Sequence, residues 1–401
     1  ALAALAREDV PDEVAAAYSG EHLKYGREYL IPTPFDPRLI TAVPMAVAQA
    51  AMDSSIARNP IIDMDRYEAE LSARLNPTAS SLQAIFDVVR ANPRRVVFAE
   101  GEEEKSIRAA FSFMNSGYGT PILIGRKKRV GKAIEELGLG NAEGIEITNA
   151  QLNPSLDHYT EFLYRRVQRK GYLQRDCQRM VKRDRNIFAA CMVATGDADA
   201  MVTGLTRNYH VALTQITQIL DPDPGGIVFG LSLVLARDRT LFVADTAVHE
   251  LPSPVELADI AQQAADVARQ MGHDPRVALL SFANFGQPEL SRSKTVRLAV
   301  EELDKREVNF EYDGEMGVDV ALNTELMANY PFCRLTGPAN ILVMPGLHSA
   351  QISSKLLYEL GGSTVVGPLL IGLSKPAQIV PMGANTSDMV NMAALAAHSA
   401  R

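Results

Sequence analysis

The sequence predicts an α/β protein whose sheets are mostly parallel, and two observations carry this expectation. From Ser80 onward helical stretches alternate with six short β-rich runs, at 95–99, 121–125, 200–204, 240–244, 276–281 and 340–345. Each run is apolar along its length and bounded by turn-forming residues. A strand that is apolar throughout is covered on both faces, and strands separated by helices cross over in the same direction. Ligands of such sheets sit beyond the carboxyl ends of the strands.

Length and composition set the frame. At 401 residues the chain exceeds a single globular core, so two or three domains are expected. Hydrophobic residues make up 47% and charged residues 22%, the balance of an ordinary globular protein. The formal net charge is -8, so there is no overall basic field for nucleic acid. Cys177, Cys191 and Cys333 show no CxxC spacing, which argues against a disulfide framework or structural zinc and for a reducing, cytoplasmic setting. No uncharged apolar run approaches the roughly 20 residues of a spanning helix, so no membrane role is expected. The first residue is Ala1 and residues 1–6 read as helix, so the chain is expected to begin inside a longer polypeptide.

In chain order, residues 1–67 read as helix, Pro-rich link and helix. Pro32, Pro34 and Pro37 forbid a continuous helix through the link, and residues 39–56 are Ala-rich and helical. The Asn76-Pro77-Thr78 break separates this tail, residues 1–76, from a body at 77–401. Within the body, Asp221-Pro-Asp-Pro-Gly-Gly is the expected hinge between two lobes, about 80–222 with 372–401 and about 223–371.

The tail contains Tyr25-Gly-Arg-Glu-Tyr-Leu-Ile-Pro-Thr-Pro-Phe-Asp-Pro-Arg-Leu-Ile and Ala46-Val-Ala-Gln-Ala-Ala-Met-Asp-Ser. It resembles the end of the bacterial malic enzyme domain. That family's acid-base pair, metal carboxylates and glycine-rich dinucleotide loop lie earlier in its polypeptide. The chain itself has no GxGxxG and no acidic cluster with metal-ligand spacing. The resemblance therefore implies that NADP and Mg or Mn belong to a part of the parent enzyme outside this sequence.

The body opens with Arg95-Val-Val-Phe-Ala-Glu-Gly-Glu-Glu-Glu-Lys. Asp197-Ala-Asp-Ala-Met-Val-Thr-Gly, Phe242-Val-Ala-Asp-Thr-Ala-Val, Tyr312-Asp-Gly-Glu, Gly337-Pro-Ala-Asn and Gly367-Pro-Leu-Leu-Ile-Gly-Leu follow in order. Over roughly 80–397 these blocks resemble phosphate acetyltransferases and butyryltransferases. The resemblance implies a two-lobed phosphotransacetylase-like fold preceded by a helical malic enzyme tail.

Transfer of an acetyl group between phosphate and CoA requires thiol deprotonation, a stabilised oxyanion and arginine forks on phosphate. The family is understood to supply a Ser-Arg pair followed by an Asp. Here Lys375 to Asp388 aligns without a gap, so Pro381 and Met382 stand in the Ser and Arg positions and Asp388 in the Asp position. Glu359 and Thr214 fall where two further arginines are expected, and the register of another is open around 165–171. A turn carrying a lysine and hydroxyls becomes Ser281-Phe-Ala-Asn-Phe-Gly-Gln.

This pattern resembles the appended domain of hybrid NADP-dependent malic enzymes. It implies a non-catalytic, self-associating receptor for acetyl-CoA that regulates its own malic enzyme domain. The rival expectation is an active phosphate acetyltransferase, and a third is a purely structural oligomerisation module.

A CoA receptor needs two or more Arg or Lys for phosphates. Arg207 in the loop after the 200–204 run is the first candidate. Arg237 and Arg239, alternating before the 240–244 run, are next. Asn391 shares a helix face with Asp388, and Lys355 is a weaker candidate. The plain alternative for each is a solvated charge or an ordinary helix polar group, and Asp388 is equally well read as a helix N-terminal carboxylate. Glu102, Glu103 and Glu104 read as a solvated first helical turn rather than a metal site, and His210, His249 and His348 as incidental.

Overall fold

The computed structural model describes residues 1–7, 25–26, 29–32, 36, 38–54, 56–58, 60–61, 63–64, 67–68, 71, 79–140, 142–236, 239–288, 290–361 and 364–400. The chain divides into two compact units, Ala1–Gln83 with Arg237–Arg239, and Ala84–Ala236 with Thr240–Arg401.

In the first unit helix α1 (Leu39–Asp53) carries Pro44 in its interior, where the missing N–H removes one link of the helical ladder. Just before it, buried Asp36 accepts from the Arg38 backbone N–H and guanidinium, which holds its carboxyl below the usual range. The helix expected over 39–56 thus ends at Asp53. The Asn76-Pro77-Thr78 break and part of the proline link lie outside the described residues.

Helix α2 (Ala79–Ala91) leads into the second unit. There β1 (Arg94–Phe98), β2 (Gly119–Ile124), β3 (Glu146–Thr148), β4 (Ala200–Thr203) and β11 (Ala377–Ile379) form a parallel sheet in the order β11-β4-β1-β2-β3. A second sheet, in the order β10-β5-β6-β9-β7-β8, holds β5 (Phe229–Ala236), β6 (Arg239–Ala244), β7 (Arg276–Leu280), β8 (Glu311–Met316), β9 (Ile341–Val343) and β10 (Thr364–Ile371). Its β6, β7, β8 and β9 pair in parallel, while β10 runs antiparallel to β5.

Helices cover both sheets: α3 (Glu104–Asn115), α4 (Lys127–Glu136), α5 (Leu156–Val167), α6 (Gln174–Arg183), α7 (Arg185–Thr195), α8 (Tyr209–Thr217), α9 (Pro254–Gln270), α10 (Ser291–Asp304), α11 (Leu347–Gly361) and α12 (Thr386–Ser399). Val97, Tyr159, Phe188, Met201 and Ile379 lie in one core cluster on the first sheet, and Val243, Ala278, Met316 and Leu342 in one on the second. Among the described residues no helix is long and apolar enough to cross a membrane.

All six apolar runs are strands: β1, β2, β4, β6, β7 and β9. Sequence reading missed β8 because its Glu311-Tyr-Asp-Gly-Glu-Met looks too polar to bury. Asp313 nonetheless accepts from the backbone N–H groups of Gly314 and Arg334, which makes its burial affordable. The three-residue β11 was missed for a related reason. Its buried Gln378 side chain bonds both the N–H and the C=O of Leu370, so a polar residue mimics a strand neighbour.

The chain leaves the first sheet through 221–226 and returns through 372–374. These two connectors bond each other, Asp223 N to Gly372 O at 2.8 Å and Ser374 N to Asp221 O at 2.9 Å.

Candidate ligand-binding cleft

Strand order fixes where a ligand can enter the first sheet. The chain lays down β1, β2 and β3 outward in one direction, then returns to the other side of β1 for β4 and β11. The reversal between β1 and β4 leaves a crevice beyond their carboxyl ends. A cleft of about 290 Å³ lies there. Glu100 and Glu103 line it from the end of β1, Arg183, Arg185 and Asn186 from the α6–α7 junction, and Thr206 and Arg207 from the loop after β4.

Glu100 organises this loop. Its carboxylate is 2% exposed. Oε2 accepts from the backbone N–H groups of Gly204 (2.9 Å) and Leu205 (2.7 Å), while Oε1 accepts from the Thr206 N–H (2.7 Å) and hydroxyl (2.6 Å). Four donors on one carboxylate satisfy its charge and lock the loop. Gly204 is required here: at φ +130° any Cβ would sit 2.0 Å from the Val380 carbonyl oxygen, so β4 and β11 approach only because the side chain is absent.

A second polar chain orients Arg207. Asp184 caps α7 through Oδ1, and its Oδ2 accepts from Arg207 Nη1 (2.7 Å) and Gln215 Nε2 (2.6 Å). Gln215 Oε1 accepts from Asn186 Nδ2 at 2.7 Å, and Asn186 Oδ1 from the Thr203 hydroxyl at 2.6 Å. One guanidinium nitrogen of Arg207 is thereby fixed. Arg183 and Arg185 make no ion pair or side-chain hydrogen bond among the described residues. The cleft thus presents guanidinium donors suited to phosphate.

Where the family resemblance expects a Ser-Arg pair, Pro381 and Met382 emerge from β11, both exposed. Neither side chain can take or give a proton. Lys105 Nζ ties this segment down by donating to the Ala384 carbonyl at 2.8 Å. Glu359 and Thr214 are exposed on α11 and α8. The 281–287 loop carries Phe285, whose ring meets those of Tyr330 and Phe332 at 5.1 Å each.

Of the six sequence candidates, Arg207 lines the cleft. Arg237 lies outside the described residues, and Arg239 is exposed at the start of β6. Asp388 is an exposed capping residue: it accepts from the Asn385 N–H while Asn385 Oδ1 accepts from its own N–H. Asn391 is half-buried a turn later on α12, and Lys355 is exposed on α11. Around 165–171, Arg165 pairs with Glu161 and Arg166 forks Asp221, so neither lines the cleft.

Sequence reasoning missed Glu100, Asp184 and Arg185. Asp184 carried a usable signal, an N-cap before an apolar helix. Glu100 carried none, since its partners are backbone groups 104 to 106 residues away.

The acidic run also differs from expectation. Glu102 lies before α3, not in its first turn, and forks Arg126, which drives its carboxyl down to about 2. Among the described residues no group of three His, Cys, Asp or Glu could hold a metal.

His249, read as incidental, is engaged. Buried Asp245 accepts from the N–H groups of Gly230, Ala247, Val248 and His249 and lies 2.7 Å from His249 Nδ1. That hydrogen bond raises the imidazole above its ordinary 6.5 against the opposing pull of burial. A raised folded-state value contributes stability that is complete below 6.5 and is lost as pH rises through the folded value. Melting temperature measured from pH 5.5 to 8.5 should therefore fall more for the wild type than for His249→Gln. Parallel curves would show that the pair carries no linked proton.

Residues 80–397 match the family described as phosphate acetyl/butaryl transferase, and the chain belongs to that family. Two comparisons agree with the fold: the phosphate acetyltransferase of Clostridium acetobutylicum is 30% identical over 323 residues, 78% of this chain and 96% of that protein. A crystal structure of a phosphotransacetylase from Streptococcus pyogenes superposes with a TM-score of 0.74 at 30% identity, covering 79% of this chain and 98% of that one.

The more particular likeness is to malic enzymes. The NADP-dependent malic enzyme of Rhizobium meliloti (strain 1021) is 56% identical over 401 residues, 100% of this chain and 53% of that protein. The chain thus spans about half the length of this curated relative, and the expected likeness to hybrid malic enzymes extends across the whole of it.

Proposed function

We propose that this chain is the acetyl-CoA-sensing regulatory and oligomerisation part of an NADP-dependent malic enzyme and performs no acetyl transfer itself. Conversion of malate to pyruvate and CO2, with NADP and Mg or Mn, is assigned to the other half of the parent enzyme. The carrying observation is the cleft between β1 and β4, where Arg183, Arg185 and Arg207 converge, and the family resemblance sets Pro381 and Met382 at the positions of the Ser-Arg pair. Guanidinium forks hold the phosphates of CoA, and side chains that move no proton stand where the resemblance expects the family's Ser-Arg pair.

Self-association is supported by α11, whose Ile352, Leu356, Tyr358 and Leu360 are 59%, 52%, 60% and 81% exposed. So much apolar surface on one helix suits a second copy of the chain. Ligand binding would bias the assembly between states of different activity by differential affinity. A cytoplasmic setting belongs to the same proposal.

Calorimetric titration with acetyl-CoA tests it. Binding is expected in the wild type, together with a rise in melting temperature. Arg207→Glu should weaken it by about 10- to 100-fold, the worth of one charge-assisted contact. Absence of binding at millimolar acetyl-CoA would leave only the structural module, and unchanged affinity in Arg207→Glu would remove the cleft as the site.

A further inference from the structure

Between Arg165 and Arg185 the chain carries nine Lys or Arg against two Asp, although its overall charge is -8. Only part of this cationic stretch is absorbed by structure: Arg165 pairs with Glu161 and Arg166 with Asp221. Arg169, Lys170, Arg175 and Lys182 make no ion pair among the described residues. Helix α6 is pinned to the core through Cys177 and Val181, one turn apart and fully buried, which leaves its basic residues outward.

At the amino-terminal corner of α6 this surface becomes concave. A 3-10 turn, Gln168–Lys170, ends at Gly171, whose φ of 89° reverses the chain. Beside it lies a pocket of about 490 Å³ lined by Lys170, Gly171, Tyr172, Asp176, Arg179 and Met180. None of these residues lines the β1–β4 cleft. Along α6 the nearest lining residues, Met180 of this pocket and Arg183 of the cleft, are about 4.5 Å of helical rise apart, so the two sites are neighbours that share no lining residue.

We infer that this corner is a second ligand site, taking a phosphorylated nucleoside. Tyr172 and Met180, both packed against the core, supply a firm aromatic and thioether wall for a base. Asp176 accepts from the Leu173 N–H at 3.2 Å through Oδ2, and its Oδ1 lies 3.9 Å from Arg179, too far for a tight ion pair. That oxygen is placed to accept from ribose hydroxyls. Lys170 and Arg179, with Arg169 and Lys182 on the same stretch, supply the charge for phosphates. The pocket volume falls in the usual ~300–1,000 Å³ range of small-ligand sites. A long polyanion is disfavoured, because the basic stretch is confined within an acidic protein.

The same chemistry is offered by a free nucleotide and by the phosphoadenosine end of a CoA ester, and one experiment separates them. ADP is titrated by calorimetry into the wild type, into the Lys170→Glu and Arg179→Glu variants and into Arg207→Glu. Both corner residues are on the surface, so charge reversal leaves the core intact, and unaltered far-ultraviolet dichroism verifies this. ADP should bind the wild type and Arg207→Glu alike and lose at least about tenfold in affinity in either corner variant. Displacement of ADP by acetyl-CoA in Arg207→Glu would identify the CoA end as the source, and failure to displace a free nucleotide. The inference is overturned if the corner variants bind ADP normally, if Arg207→Glu abolishes binding, or if inorganic phosphate competes as strongly as ADP.

Discussion

Supplied with acetyl phosphate and CoA, the purified protein is expected to make acetyl-CoA at least ~10⁴-fold more slowly than ordinary phosphate acetyltransferases. Loss of one positioned acid or base costs about 10²- to 10⁴-fold, and loss of one oxyanion donor about 10²- to 10³-fold. On the sequence resemblance several such groups are altered together: Pro381 and Met382 stand where the Ser and Arg are expected, and Glu359 puts a carboxylate where a phosphate-binding cation is expected. The 281–287 loop has turned to packing, with Phe285 against Tyr330 and Phe332. The double substitution Pro381→Ser with Met382→Arg should therefore leave the protein inactive, because the other groups remain altered. A continuous thioester absorbance assay decides the matter. Turnover within about a hundredfold of ordinary enzyme rates would make this protein a transferase with a rearranged site.

Replacing Glu100 should be the most damaging single change to the first sheet. Glu100→Ala strips the acceptor from three backbone N–H groups and the Thr206 hydroxyl at once. Unsatisfied buried donors cost about 1–3 kcal/mol each, so a loss of at least about 3 kcal/mol is expected even with partial solvation. The loop that carries Arg207 would be released, and acetyl-CoA affinity should fall with it. Glu100→Gln retains one acceptor oxygen but turns the other position into a donor facing donors, so it should lie between the two. Urea unfolding read by tryptophan-independent far-ultraviolet dichroism measures both variants, a necessary choice because the chain has no Trp. Wild-type stability in Glu100→Ala would show that water replaces the carboxylate at no cost.

The fold was largely legible because parallel strands buried on both faces must be apolar along their length. β1, β2, β4, β6, β7 and β9 announced themselves in this way. β8 and β11 did not, since Asp313 and Gln378 are buried against backbone groups that local sequence cannot reveal. The site was legible only at Arg207, which follows a recognisable strand end. Asp388 was legible as a helix N-terminal carboxylate, one of its two readings, and its hydrogen bonds match that one: an oxygen accepts from Asn385 at the start of α12.

Taken alone, the amino-acid order determined the six apolar strands β1, β2, β4, β6, β7 and β9 and the malic enzyme likeness of the whole chain. Those properties reside in side-chain type and short-range periodicity. Tertiary structure alone decided that Glu100 meets the loop after β4, that Asp184 holds Arg207, and that Arg183 and Arg185 open onto the same cleft. Such pairings join residues up to about a hundred positions apart, and they form only when strand order brings the ends of β1 and β4 side by side.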